Sequence, residues 1–203
     1  MSAYYQSLIT DFLTLSNESV VGELSRHQTG TTPQQLSSWE REVTLLQDSF
    51  HALSQSQPEV GNWGLLLEYS LIRLHRRIDA IILTDAAIYV LEFKMGAGSY
   101  DSASVSQVED YALDLRDFHS GSTGRYLIPV LCSSAADPIA APYPEFSDDI
   151  SQVIFTNSEN LAEHIWFLNN NVPDRGGVSG VQEWAGASYA PVPNIIEAAE
   201  MLY

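Results

Sequence analysis

Between Gly64 and Lys94 the chain runs through three apolar segments, GLLLEYSLIRL, RRIDAIIL and AAIYVLEFK, with only a few residues between them. Each is short, rich in β-branched and aliphatic residues, and bounded by turn signals, which predicts three consecutive strands. Helical patterns surround this meander. Tyr5, Leu8, Ile9, Phe12 and Leu15 recur at helical spacing, and a short segment near Val20 to Leu24 does the same, so residues 1–56 are expected to be helical. Thr32-Pro33 reads as a cap followed by proline in the first turn. Leu36, Trp39, Val43, Leu46, Phe50 and Leu53 then mark one face of a long amphipathic helix.

After the meander, residues 104–119 return to helical period, with Val108, Tyr111, Leu115 and Phe118 inward and Ser104 or Ser106 as cap. RYLIPVLCSS predicts a buried strand, residues 135–149 a surface loop, SQVIFTN a last strand and SENLAEHIWFLN a helix opened by Ser158. Residues 169–186 read as loop or linker, and VPNIIEAAEMLY as a further short helix. This order predicts an α/β fold, a mixed β-sheet flanked by helices. Residues 1–168 form the expected domain and residues 169–203 an appendage.

Composition narrows the function classes. Apolar residues make up 45% of the 203, enough to bury a core. No stretch is long and apolar enough to span a membrane, and the N-terminus lacks the features of a signal peptide, so a cytoplasmic location is the expectation. Cys132 is the only cysteine, which excludes an internal disulfide and any multi-cysteine metal site. Twenty-six acidic residues against nine basic ones give a formal charge of −17, which repels nucleic acid at long range. A solvated acidic surface, an absent basic partner domain and an acidic surface for binding or DNA mimicry are the three readings of that charge. Lys94 is the only lysine. A phosphate-binding P-loop needs its own lysine after glycine, so this chain by itself is no P-loop ATPase.

The second hairpin of the meander carries the chemistry. With its turn centred on Asp85-Ala86, Leu83 faces Ile88 and Asp79 faces Glu92, provided the loop has two or four residues. Lys94 shares the face of Glu92, while Leu91 and Phe93 point the other way. Two opposed carboxylates repel unless a cation offsets them, and Mg²⁺ is commonly held by one or two carboxylates with water and phosphate oxygens. Acid, acid and lysine on neighbouring strands therefore outline a phosphodiester-hydrolysis site. The competing reading is that Asp79 and Glu92 simply pair with Arg77 and Lys94 across the hairpin. His75 and His119 have no metal-ligand spacing and read as incidental.

Asp79, the Glu92-Phe93-Lys94 run and the later Gln107-to-Tyr111 helix together resemble the RecB-like branch of the PD-(D/E)xK nuclease superfamily. The longer run through LLLEYSLIRLHRRID, YVLEFKMGAGSYD, QVEDYALDLRDFH and PVLCSS is similar to the nuclease-like domain that precedes the helicase in bacterial Schlafen-type proteins. The WAGASYAPVPNIIEAAEMLY ending is similar to the junction before that helicase. This resemblance implies a restriction-endonuclease-like core and a Mg²⁺ or Mn²⁺ ion held by Asp79 and Glu92. It implies that Lys94 serves the attacking water or transition state, and that Gln107 and Tyr111 border the site. DNA is the implied substrate, before RNA, and a helicase in cis the implied partner. Glu68 is the candidate first acidic residue, with Glu42 on the preceding helix as the alternative; Arg77 reads as a phosphate contact or a cross-strand partner for an acid. Core packing alone also accounts for Tyr111. The runner-up function is a non-catalytic module with a nuclease-like fold that positions nucleic acid or docks a protein.

Overall fold

In the computed structural model, which describes residues 3–28, 30–173 and 180–190, the chain opens with a strand where helical spacing predicts a helix. β1 (Tyr5–Leu8) pairs antiparallel with residues 64–67, and only one helical turn, α1 (Ile9–Phe12), follows. Residues 5–8 lie along a sheet edge whose backbone groups need partners, and that pairing overrides the local spacing. α2 (Asn17–Arg26) starts at Ser16, whose hydroxyl accepts the Ser19 N–H at 3.2 Å. α3 (Pro33–Ser56) starts as expected, with the Thr32 hydroxyl accepting the Gln35 N–H at 3.2 Å. Its inward stripe is the predicted one, with Trp39, Val43, Leu46, Phe50 and Leu53 all buried.

The meander forms β2 (Gly64–Leu71), β3 (Arg76–Leu83) and β4 (Ala87–Lys94), all antiparallel neighbours. Leu83 stands opposite Ile88 and Ala80 opposite Leu91, which is the register predicted from the turn. The turn is the four-residue version. Thr84 closes it, its N–H donating to the Ala87 carbonyl at 3.1 Å and its hydroxyl accepting the Ala87 N–H at 3.0 Å. α4 (Ser102–Phe118) is capped by Asp101, not by Ser104 or Ser106; the Asp101 carboxylate accepts the Ser104 N–H at 2.9 Å and the Ser104 hydroxyl at 2.6 Å. β5 (Tyr126–Ser133) then returns parallel to β4.

The stretch expected as a plain surface loop contains β6 (Phe146–Ser147), which forms a tight hairpin with β7 (Ile150–Ser151). β7 and β8 (Ile154–Thr156) both pair parallel with β5. Before α5 (Leu161–Asn169), the side-chain amide oxygen of Asn157 accepts the N–H groups of Glu159 and Asn160, while the Ser158 hydroxyl donates to the Ser134 carbonyl. Ser158 is therefore not the cap. α6 (Val181–Ala185) lies inside the expected linker and buries Trp184 completely. The helix expected over VPNIIEAAEMLY lies outside the described residues.

The result is an α/β fold with a mixed sheet, ordered β1-β2-β3-β4-β5-β7-β6 with β8 also on β5. α3 and α5 cover one face, packing on Leu65, Leu67, Ala80 and Leu91. α4 and α6 cover the other, packing on Leu66, Ile81, Ile88 and Val90. Because both faces are covered, the strands need no polar alternation. No described helix is long and apolar enough to cross a membrane.

Candidate active site

Side-chain alternation fails at one register of the β2–β3 pair. Leu65 and Leu67 face α3 and Leu66 faces α4, yet Tyr69 and Leu71 also face α4. In β3, Ile78 and Ile81 face α4 while Ala80 between them faces α3. A strand that kept period two throughout would not allow this. The residues at the two breaks are Glu68 and Asp79, which lie opposite each other between the pairs Leu67–Ala80 and Tyr69–Ile78. Glu68 has a φ of +52°, a left-handed conformation that costs a residue with a side chain about 1–3 kcal/mol. The break turns two carboxylates away from the apolar layers.

Asp79 turns towards β4. One of its oxygens accepts the Phe93 N–H at 2.8 Å, just past the last β3–β4 pair, Ala80–Leu91. Glu92, the next residue of β4, would face Asp79 in the same register. Its Oε1 accepts Lys94 Nζ at 2.8 Å and Gln107 Nε2 at 2.9 Å, and Gln107 Nε2 also reaches the Tyr111 hydroxyl at 2.7 Å. From the other face, α3 brings Ser38, Trp39 and Glu42. The Ser38 hydroxyl donates to Glu42 at 2.8 Å, and the Trp39 indole N–H donates to Glu68 at 2.8 Å.

Arg77 completes the Glu68 pocket. Its Nε is ion-paired with Glu68, another nitrogen donates to Gln28 at 3.2 Å, and its guanidinium lies 5.0 Å over the Tyr4 ring. Of the two readings of Arg77, this structure shows the cross-strand partner of an acid, and that acid is Glu68. A cleft of about 490 Å³ joins the two faces at this end of the sheet, lined by Glu42, Glu68, Asp79, Gln107 and Tyr111 among others. A larger hollow of about 560 Å³ beside Leu83 and Trp166 sits at the opposite end of β3. It holds only Glu59 and Asp85 as charged groups, whereas the smaller cleft gathers Glu42, Glu68 and Asp79 with His75, Arg76 and Arg77.

The electrostatics of the cleft are those of crowded carboxyls. Burial raises Asp79 well above the usual carboxylate range although part of it still reaches the cleft, and the charges of Glu92 and Glu42 push the same way. Burial also raises Glu92, with the Lys94 hydrogen bond and charge partly opposing. Glu42 is pushed up to about 7, first by burial and then by the charges of Glu68 and Glu92. Burial draws Lys94 down, but its bond to Glu92 and the nearby acids outweigh this and leave it above its ordinary value, protonated at neutral pH.

A stability signature follows from the sign of these shifts. A carboxyl that binds its proton more tightly when folded favours the folded state at low pH, and that contribution is lost as pH rises through the folded-state value. For Glu42 the window runs from the ordinary 4.5 to about 7. The metal-free protein is expected to lose stability across that window, and Glu42→Gln is expected to lose less. Urea denaturation at a series of pH values checks this; parallel profiles for the two proteins would remove Glu42 from the account.

Among the described residues, no three His, Cys, Asp or Glu side chains form a group that could hold a metal ion. Asp79 and Glu92 offer two acids. Oε2 of Glu92 is buried with no hydrogen-bond partner, and the Asp79 carboxyl is near enough to share a proton with Glu92. An orphaned carboxylate oxygen beside a second proton-loving carboxyl fits a hard divalent cation whose other ligands are water and substrate oxygens.

The structure thus brings Asp79, Glu92, Lys94, Gln107 and Tyr111 together around one point. Glu68 lies on its margin, satisfied by Trp39 and Arg77. Trp39 and Ser38 were not legible as site residues, although Glu42 is an acid within an apolar helical stripe, and that signal was available. His119 is buried with Nδ1 3.0 Å from the Ser122 hydroxyl, its pKa drawn by burial to about 4, and it plays a packing role. No family model, curated protein or solved structure matches this chain.

Proposed function

We propose that this chain is a metal-dependent nuclease domain with a PD-(D/E)xK-type core, hydrolysing phosphodiester bonds in DNA and acting as a module of a nuclease–helicase. The observation that carries the reading is the pairing of Asp79 with Glu92, two carboxyls of raised pKa, with the only lysine bonded to the second. The meander followed by α4 and the parallel strand β5 supports the fold assignment. The helicase connection rests on the sequence resemblance alone.

In this reading Asp79 and Glu92 hold Mg²⁺ or Mn²⁺. Such a cation, when bound, polarises a phosphoryl oxygen and acidifies water. The chain's own residues do the rest. The Phe93 N–H fixes one Asp79 oxygen, and Gln107 fixes Oε1 of Glu92, so both carboxylates are oriented before anything binds. Gln107 is itself held by the Tyr111 hydroxyl. Lys94 Nζ carries a proton and a positive charge beside Glu92, placed to steady the negative charge that builds on phosphate oxygens during attack. Glu42, poised near neutrality on α3, is the better first acidic residue than Glu68, because it has one neutral partner where Glu68 is tied to Arg77 and Trp39. At neutral pH a carboxyl of this kind can take up or release a proton in the cleft.

Calorimetric titration with Mn²⁺ tests the reading directly. Binding should be seen with the unaltered protein and lost in Asp79→Ala, and DNA cleavage should follow the same pattern. Absence of Mn²⁺ binding in the unaltered protein would leave the non-catalytic module as the answer.

A further inference from the structure

Four of the described cations are held in ion pairs. Arg73 is bonded to buried Asp114 at 2.7 Å, Arg77 to Glu68, Lys94 to Glu92 at 2.8 Å, and Arg116 to Asp117 at 2.7 Å. Arg76 is different. It is exposed, and among the described residues its guanidinium has no ion-pair or hydrogen-bond partner. It lines the carboxylate cleft and lies close enough to Tyr111 for its charge to lower that hydroxyl's pKa, against burial and Glu92, which leave it at about 12. His75 precedes it, also exposed and also lining the cleft, at the end of the four-residue turn between β2 and β3. His75 has a φ of +51°, the conformation that closes the turn.

We propose that Arg76, with His75 beside it, is the contact that holds the phosphate backbone of a polynucleotide at the mouth of this cleft, in place of Arg77. The inference deepens the nuclease reading and rests on it. A chain of charge −17 repels a polyanion over most of its surface, so a phosphate contact has to be made where an uncompensated cation borders the reaction centre. Arg77 cannot serve without surrendering Glu68, which is 6% exposed and would be left as a buried charge with one neutral partner. Arg76 makes the contact with nothing to give up. A guanidinium also grips a phosphate through two parallel N–H bonds, which fixes the strand's position as well as its presence.

The test uses the full chain and a short fluorescein-labelled single-stranded DNA, with Ca²⁺ in place of Mn²⁺ and binding read by fluorescence anisotropy across a salt series. Losing one phosphate contact to single-stranded DNA should reduce the slope of log Kd against log salt by about 0.7. Arg76→Ala is expected to show that reduction, Arg76→Lys to keep the slope, and His75→Ala to weaken binding less than Arg76→Ala. Arg77→Ala is expected to lower thermal stability while leaving the slope unchanged. The inference fails if Arg76→Ala keeps the full slope, if Arg77→Ala carries the reduction, or if the unaltered protein does not bind. Mn²⁺-dependent cleavage with a KM that ignores Arg76→Ala would sink this contact and leave the nuclease reading standing. Arg76-dependent binding without any cleavage would do the reverse.

Discussion

Lys94→Ala is expected to slow Mn²⁺-supported DNA cleavage by roughly 10²–10³-fold, the usual effect of removing one preorganised stabilising group from a reaction centre. The substitution is a clean one structurally. Lys94 is the last residue of β4 and its side chain is about a third exposed, at 31%. Gln107 still holds Oε1 of Glu92 at 2.9 Å when the lysine is gone, so the carboxylate keeps its orientation. What changes is charge. Lys94 is the main influence lowering the Glu92 pKa against burial, so without it Glu92 binds its proton more tightly and competes less well for a cation. The remaining activity should therefore have its acid limb displaced to higher pH. Single-turnover cleavage across a pH series measures both effects. A variant as fast as the parent, with the same profile, would show that Lys94 is only a structural partner of Glu92.

The largest expected loss of stability is at α6. Trp184→Ala should cost about 3–5 kcal/mol, as large-to-small changes at fully buried aromatic sites do. Against a typical total of about 5–15 kcal/mol that is a major fraction. Trp184 packs with its ring 4.3 Å from His119 and 5.2 Å from Tyr69, centroid to centroid. It sits on a five-residue helix that is far too short to persist without tertiary support. Its indole N–H is buried with no partner, so no hydrogen bond is lost and the cost is packing alone. The same residue anchors the segment around it. Ser120 N–H donates to the Ser188 carbonyl at 2.9 Å, Ala190 N–H to the Phe118 carbonyl at 3.0 Å, and the Tyr189 hydroxyl to Asp114 at 2.7 Å. Urea denaturation should show the drop, and limited proteolysis should cut within residues 180–190 before it cuts the sheet. An unchanged denaturation midpoint would mean the segment is held by those hydrogen bonds instead.

What could be read from the sequence was set by local geometry. The β3–β4 register was legible because a short turn leaves few ways to pair two apolar runs, and the same register sets Asp79 against Glu92. The α3 stripe was legible because its period is long and its cap is a threonine followed by proline. Other features depend on contacts between distant parts of the chain. β1 exists because β2 has an edge to satisfy, which no spacing among Tyr5, Leu8 and Ile9 reveals. α6 is stable because Trp184 finds a pocket between Tyr69 and His119, although the sequence around it has the glycine content of a linker. The fate of Arg77 depended on where Glu68 points. That in turn was hidden because a strand covered on both faces is apolar throughout, and a change of parity inside such a run leaves no trace in composition.

That change of parity has a consequence for how such a site comes and goes. Remove Glu68 and Asp79 on paper, and Leu66, Leu67, Tyr69 on one strand and Ile78, Ala80, Ile81 on the other alternate between the α4 and α3 faces without interruption. The two acids behave as a matched insertion, one residue in each strand at the same rung. Loss of either alone leaves its neighbour strand one residue too long and forces a bulge into the middle of the sheet. Loss of both leaves an ordinary hairpin. Glu68 and Asp79 are thus coupled through the register of the sheet as well as through charge, and removing both disturbs the pairing less than removing one.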